Sequence, residues 1–121
     1  MGINSITQSL EKISLLKNGW GNYEHAKSIP KDLIERVKSL VQDVDSIYLD
    51  DWNVFPCVNG TILFDLKHDE IDSNINFSEN CYSAFIRTPD FTKFIDNSPY
   101  DESVYEYFKL VFELKNKLNN K

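Results

Sequence analysis

The chain has 121 residues, of which 41% are hydrophobic, 13% aromatic and 26% charged, with a net charge of −6. That is the size and make-up of one globular domain over 1–121 with enough aromatic bulk for a core. It excludes a membrane-spanning helix, since no apolar run approaches about 18 residues. The start, Met1-Gly2-Ile3-Asn4-Ser5-Ile6, also lacks the basic and apolar regions of a signal peptide and the Ser or Thr of a myristoylation pattern.

In chain order, Ile3, Ile6, Leu10, Ile13 and Leu16 fall three or four apart and predict a helix over 4–17. Asn4 or Ser5 caps its start, and Asn18-Gly19 stops it. After a polar link over 20–27, Ser28 caps a second helix with Pro30 in its first turn. Its stripe is Leu33, Val37, Leu40, Val41 and Val44, and it ends near Asp45.

From residue 53 the apolar period falls to two. A strand over 53–58 contains Pro56, which cannot donate to a ladder, so it belongs at a sheet edge or a bulge. Asn59-Gly60 is a hairpin signal. The next strand, 61–67, turns Ile62, Phe64 and Leu66 to one face, and His68-Asp69 makes the following turn. A strand over 70–78 points Ile71, Ile75 and Phe77 inward; Glu79-Asn80 turns again; and 81–87 opposes Tyr82, Ala84 and Ile86 to Cys81, Ser83 and Phe85. Residues 88–100 read as irregular, bracketed by Pro89 and Pro99 and pinned down by Phe91, Phe94 and Ile95. A last helix starts after Asp101, buries Val104, Tyr107, Phe108, Val111, Leu114 and Leu118, and places Lys115, Lys117 and Lys121 where the dipole favours cations; 119–121 frays. The expected fold is α+β: a two-layer domain with a four-stranded antiparallel meander covered by three helices, in the order α-α-β-β-β-β-α.

The charge is unevenly spread. Residues 43–106 hold fourteen acidic side chains against three basic ones (Lys67, Arg87 and Lys93), while the segments on either side are net positive. Such a stretch repels phosphate backbones, so nucleic acid is not an expected partner, and it suits a basic protein. Cys57 and Cys81 are 24 apart, which fits neither a CxxC motif nor a zinc knuckle; they are read as reduced thiols in a cytoplasmic protein. The wealth of Asn, Lys and Ile is the composition of an AT-rich bacterial genome.

Chemistry-bearing residues are few. His25 lies in the link and His68 in a turn, neither beside a Ser or Cys that would make a nucleophilic pair. His68-Asp69-Glu70 with Asp72 reads as the wet side of a strand, and Asp43, Asp45, Asp50 and Asp51 lack the Gly and terminal Glu of a calcium loop, so no metal or cofactor is expected. Trp20 and Tyr23 are candidate aromatic anchors, or else they plug the helix junction with their polar atoms satisfied at the rim; Trp52 and Phe55 carry the same two readings.

Gly19-Trp20-Gly21-Asn22-Tyr23, then Ala26 and Ile29-Pro30 ahead of a helix, resembles a family of small bacterial proteins with a GWDGYGA-like segment. Val54, Pro56, Gly60, Ile62 and Phe64 follow that family's order of elements, so the similarity runs over 18–86. Gly21 stands where the family has an acidic residue, and Leu66 where it has Trp. The resemblance implies accessory genes of mobile elements, some of them antitoxin-like, and assigns no catalytic residue.

The function expected is therefore a non-enzymatic acidic binding module of the antitoxin, immunity or anti-defence type, docking a basic toxin or defence protein. Asp50, Asp51, Trp52, Asp69, Glu70, Asp72 and Tyr100 form its expected partner-binding set. Two rivals stand beside it: a small hydrolase or nuclease using His25 or His68 with nearby carboxylates, and a structural homodimer paired through the Pro56 edge or the aromatic link.

Overall fold

The computed structural model of the chain describes residues 2–22, 24–68 and 70–119, without the side chains of 2–4, 22 and 119. Tyr23, Asp69, the Ile3 and Asn4 side chains and the 120–121 end of the expected fray therefore lie outside the described residues. Helix α1 (Gly2–Ile13) and helix α2 (Lys31–Asp43) are followed by a 3-10 turn, Ser46–Leu49. Five strands then run as β1 (Asn53–Pro56), β2 (Ile62–His68), β3 (Ile71–Phe77), β4 (Tyr82–Thr88) and β5 (Phe91–Ser98), and helix α3 (Ser103–Asn119) closes the chain. The class is α+β, with the strands in sequence order and every neighbouring pair antiparallel.

The meander has five strands rather than four. Residues 91–98 form β5, and Pro89-Asp90 make the tight turn into it. Two features hide this strand in the sequence. Lys93 occupies a helix-side position opposite Ile86, and the register slips between Tyr82 and Ala84, where Asp96 and Asn97 face a single residue of β4. Asn97 carries the positive φ of 45° that the bulge requires.

Alternation decides which face of the sheet is covered. Ile62, Phe64, Leu66, Ile71, Ile75, Phe77, Tyr82, Ala84 and Ile86 are all buried on one side. They meet Leu33, Ile34, Val37, Leu40 and Val41 of α2 and Val104, Phe108 and Val111 of α3, each set on one helical stripe. Ser73 sits among them, and its Oγ donates to the Leu66 carbonyl at 3.1 Å, so its burial leaves no orphaned hydroxyl.

The Tyr107 hydroxyl, on α3, donates to the carbonyls of Phe85 (2.6 Å) and Asn74 (2.9 Å) and so ties the helix to adjacent strands. Asp101 caps α3 by accepting from the Ser103 amide at 2.9 Å and from the Ser103 hydroxyl. Pro30 rather than Ser28 precedes α2, and α1 ends at Ile13 rather than running to 17; the Ser28 amide instead donates to Asn18 Oδ1 at 3.0 Å, fastening the link to the loop that follows α1. The turn before β2 closes with Gly60 at φ +88°, where its amide donates to the Cys57 carbonyl at 2.9 Å.

Candidate interaction surface

Because both α2 and α3 lie on one side, the other side of the sheet is open. Its middle is crossed by two rows of side chains. One runs Asn53, Asp65, Asn74, Phe85, Phe94; the other runs Phe55, Leu63, Asn76, Ser83. Phe94 is 65% exposed and Phe55 48%, at opposite margins, with Phe85 and Leu63 half-buried beside them. A third row, Lys67, Asp72, Arg87, Thr92, is charged, and the Arg87 guanidinium lies 3.5 Å from the Asp72 carboxylate. Sequence reasoning placed Phe85 outward. It used Phe91, Phe94 and Ile95 to pin an irregular segment; Phe91 and Ile95 do face the helices, whereas the strand sends Phe94 to the opposite side.

The acidic end of the sheet is more mixed than the sequence set implies. Asp50, Asp51, Lys67, His68 and Lys115 line an open basin of about 1100 Å³ between the start of β1, the end of β2 and α3. Asp51, with φ 71°, turns its carboxylate to the Lys115 ammonium at 3.1 Å. Lys115 is only 8% exposed, so its carbon stem is packed and its charge is met by that carboxylate. Glu70 is exposed at the turn into β3. Two of the expected partner-binding carboxylates, Asp51 and Asp72, thus already hold cations of this chain.

Trp52 lines the inner wall of the basin with its ring set into the core. It is 5% exposed, its Nε1 donates to the Tyr48 carbonyl at 3.1 Å, and its ring packs edge-on to Phe108 at 5.2 Å. Tyr100 belongs to the other end of the sheet, against Phe77 (6.1 Å) and Tyr82, with its hydroxyl donating to the Ser78 carbonyl and the Arg36 guanidinium 4.9 Å above its ring. Burial pushes the Tyr100 phenol above its ordinary range, and Arg36 pulls the other way. Trp20 is half-buried, and its Nε1 donates to the Lys27 carbonyl at 2.6 Å, which ties the two ends of the link together.

His68 is the last residue of β2, paired with Ile71, rather than part of a turn. It is half-buried in the basin with Asp50 and Asp51, while His25 is exposed in the link. Among the described residues no three His, Cys, Asp or Glu side chains gather as a metal site, and no helix is long and apolar enough to cross a membrane. Cys57 and Cys81 are free and half-buried. No protein-family model, curated protein or solved structure matches the chain.

Proposed function

We propose that this chain is a non-enzymatic protein-binding module, of the antitoxin, immunity or anti-defence type, that docks a basic partner in the cytoplasm through the open face of its sheet. The observation that carries the reading is Phe55, 48% exposed on a helix-free face, since large aromatic rings are the usual anchors of protein interfaces. The acidic excess supports the choice of partner. Asp50, Glu70, Asp90 and Asp96 are exposed at the border of that face, which favours a cationic surface and speeds the encounter at low salt. The resemblance of 18–86 to mobile-element accessory proteins is in keeping with such a role.

Affinity capture with the full chain at low and at high salt tests this. Phe55→Ser removes an exposed ring without touching the core, so it should abolish capture while the fold persists. A partner held equally by the variant, and unmoved by salt, would refute the docking mechanism.

A second reading has one observation in its favour, the placement of His68 beside Asp50 and Asp51 in the basin. It is a small hydrolase or nuclease with His68 as general base. Full biological activity in His68→Ala would remove it.

A further inference from the structure

The two borders of the sheet are not alike. At one border, β1 is four residues long, contains Pro56, which has no N–H to offer, and has α1 packed against it. At the other, β5 pairs with β4 on its inner side alone, so alternate backbone N–H and C=O groups of residues 91–95 point outward along a straight run that ends at the bulge.

The helix-facing side of β5 is underfilled. A groove of about 320 Å³ runs between β5 and α3, floored by Ile95, Tyr107 and Leu110, with Lys93 on one lip and Glu106, Lys109 and Glu113 on the other, where the two carboxylates outnumber the one ammonium. An added strand would send every second side chain into this groove and the rest onto the open face beside Phe94.

We propose that β5 of a second copy of this chain is that strand, and that the protein is an isologous dimer with its two-fold axis at Phe94. Face parity restricts the antiparallel registers. Centred on Lys93, the pairing sets ammonium against ammonium. Centred on Ile95, it sets the Phe94 ring against the Asp96 carboxylate. Centred on Phe94, it sets Phe94 on its twin and Lys93 opposite Ile95 of the second copy.

In that register Ile95 of the second copy covers the apolar floor, and its Lys93 enters the groove toward the Glu106 and Glu113 carboxylates. On the open face the two Phe94 rings meet between the two Phe85 rings, burying the most exposed aromatic side chain described. Lys93 also explains why this border does not pair indiscriminately. A charge facing inward from an edge strand is a cost in most pairings, and this one register supplies its counter-ions. The symmetry satisfies both copies at once. The inference does not rest on the proposed function, since no other partner enters it.

Sedimentation velocity of the full chain over a concentration series tests the dimer. The wild type should run as a dimer that dissociates on dilution. Phe94→Asp, which opposes two carboxylates at the axis, and Lys93→Glu, which opposes Glu106 and Glu113, should each run as monomers with unchanged circular dichroism. Adding Glu106→Lys and Glu113→Lys to Lys93→Glu should restore the dimer. A wild type that is monomeric throughout, or a dimer that survives Phe94→Asp, overturns the proposal. Phe55→Ser should leave the dimer intact, so failure here and failure of partner docking are separable.

Discussion

Replacing Tyr107 by Phe removes one hydroxyl and almost no volume. The ring keeps its place 5.9 Å from Phe108 and 6.2 Å from Trp52, so no cavity opens. What is lost is the donor shared by the Asn74 and Phe85 carbonyls beneath α3. A net hydrogen bond is worth about 1 kcal/mol, and an acceptor left dry adds its own desolvation, so the variant should lose about 1–2 kcal/mol. With an unfolding entropy of about 2 cal/mol/K per residue, a chain of 121 residues should melt about 4–8 °C lower.

The pH dependence supplies a second readout. Burial pushes the Tyr107 phenol above its ordinary range, against the pull of its hydrogen bonds. A folded pKa above the unfolded one contributes stability in full below about pH 10, and that contribution drains as pH rises further, because the unfolded phenol ionises first. The gap between wild type and Tyr107→Phe, followed by thermal unfolding, should therefore be constant near neutrality and narrow in alkali. A melting point within about 1 °C of wild type would show that the hydroxyl does not hold α3 to the sheet.

The Lys115–Asp51 pair should behave asymmetrically in urea unfolding. Asp51→Asn keeps a residue that tolerates φ 71° but strips the carboxylate from a packed ammonium; because Asp51 is 61% exposed, screening limits the loss to about 1 kcal/mol. Lys115→Met keeps the stem packed and should be near neutral, and a larger loss for Lys115→Met than for Asp51→Asn would contradict the account. Hydrogen bonds from the Ser103 hydroxyl and amide hold the Asp101 carboxyl below its usual range. Its folded pKa lies under its unfolded one, so its contribution is present above the carboxylate range and is lost as pH falls through it. Asp101→Ala should lower the melting temperature at neutral pH, and the difference from wild type should vanish toward about pH 2; an unchanged difference there would refute the cap.

Period carried most of the architecture in the sequence. The stripes of α2 and α3 and the alternation Ile62-Phe64-Leu66 and Tyr82-Ala84-Ile86 are read without ambiguity, because each side chain's hydropathy agrees with its face. The segment 91–98 failed because its alternation puts a lysine inward and a phenylalanine outward, and a bulge then breaks the count. The candidate site was less legible for a related reason. Linear proximity grouped Trp52 with Asp50 and Asp51, yet the strand entry turns the indole into the core and leaves the two carboxylates outside. Tyr100, expected beside the acidic set, lies against Phe77 and Tyr82 at the other end of the sheet. Lys115 and His68 come to Asp51 only when α3 and the end of β2 are folded together, a closeness spanning 64 positions between Lys115 and Asp51 that no local pattern encodes.

Proline at position 56 has a bearing on how this protein behaves when crowded. A meander with two bare rims can recruit copy after copy, since every newcomer brings a fresh template, and that is how fibrils propagate. Here one rim is sealed by an imino acid and an abutting helix, so stacking along the remaining rim consumes the last template and stops. Substituting that proline with a residue bearing an amide hydrogen would begin to unseal it, turning a self-limiting solute into one prone to filaments.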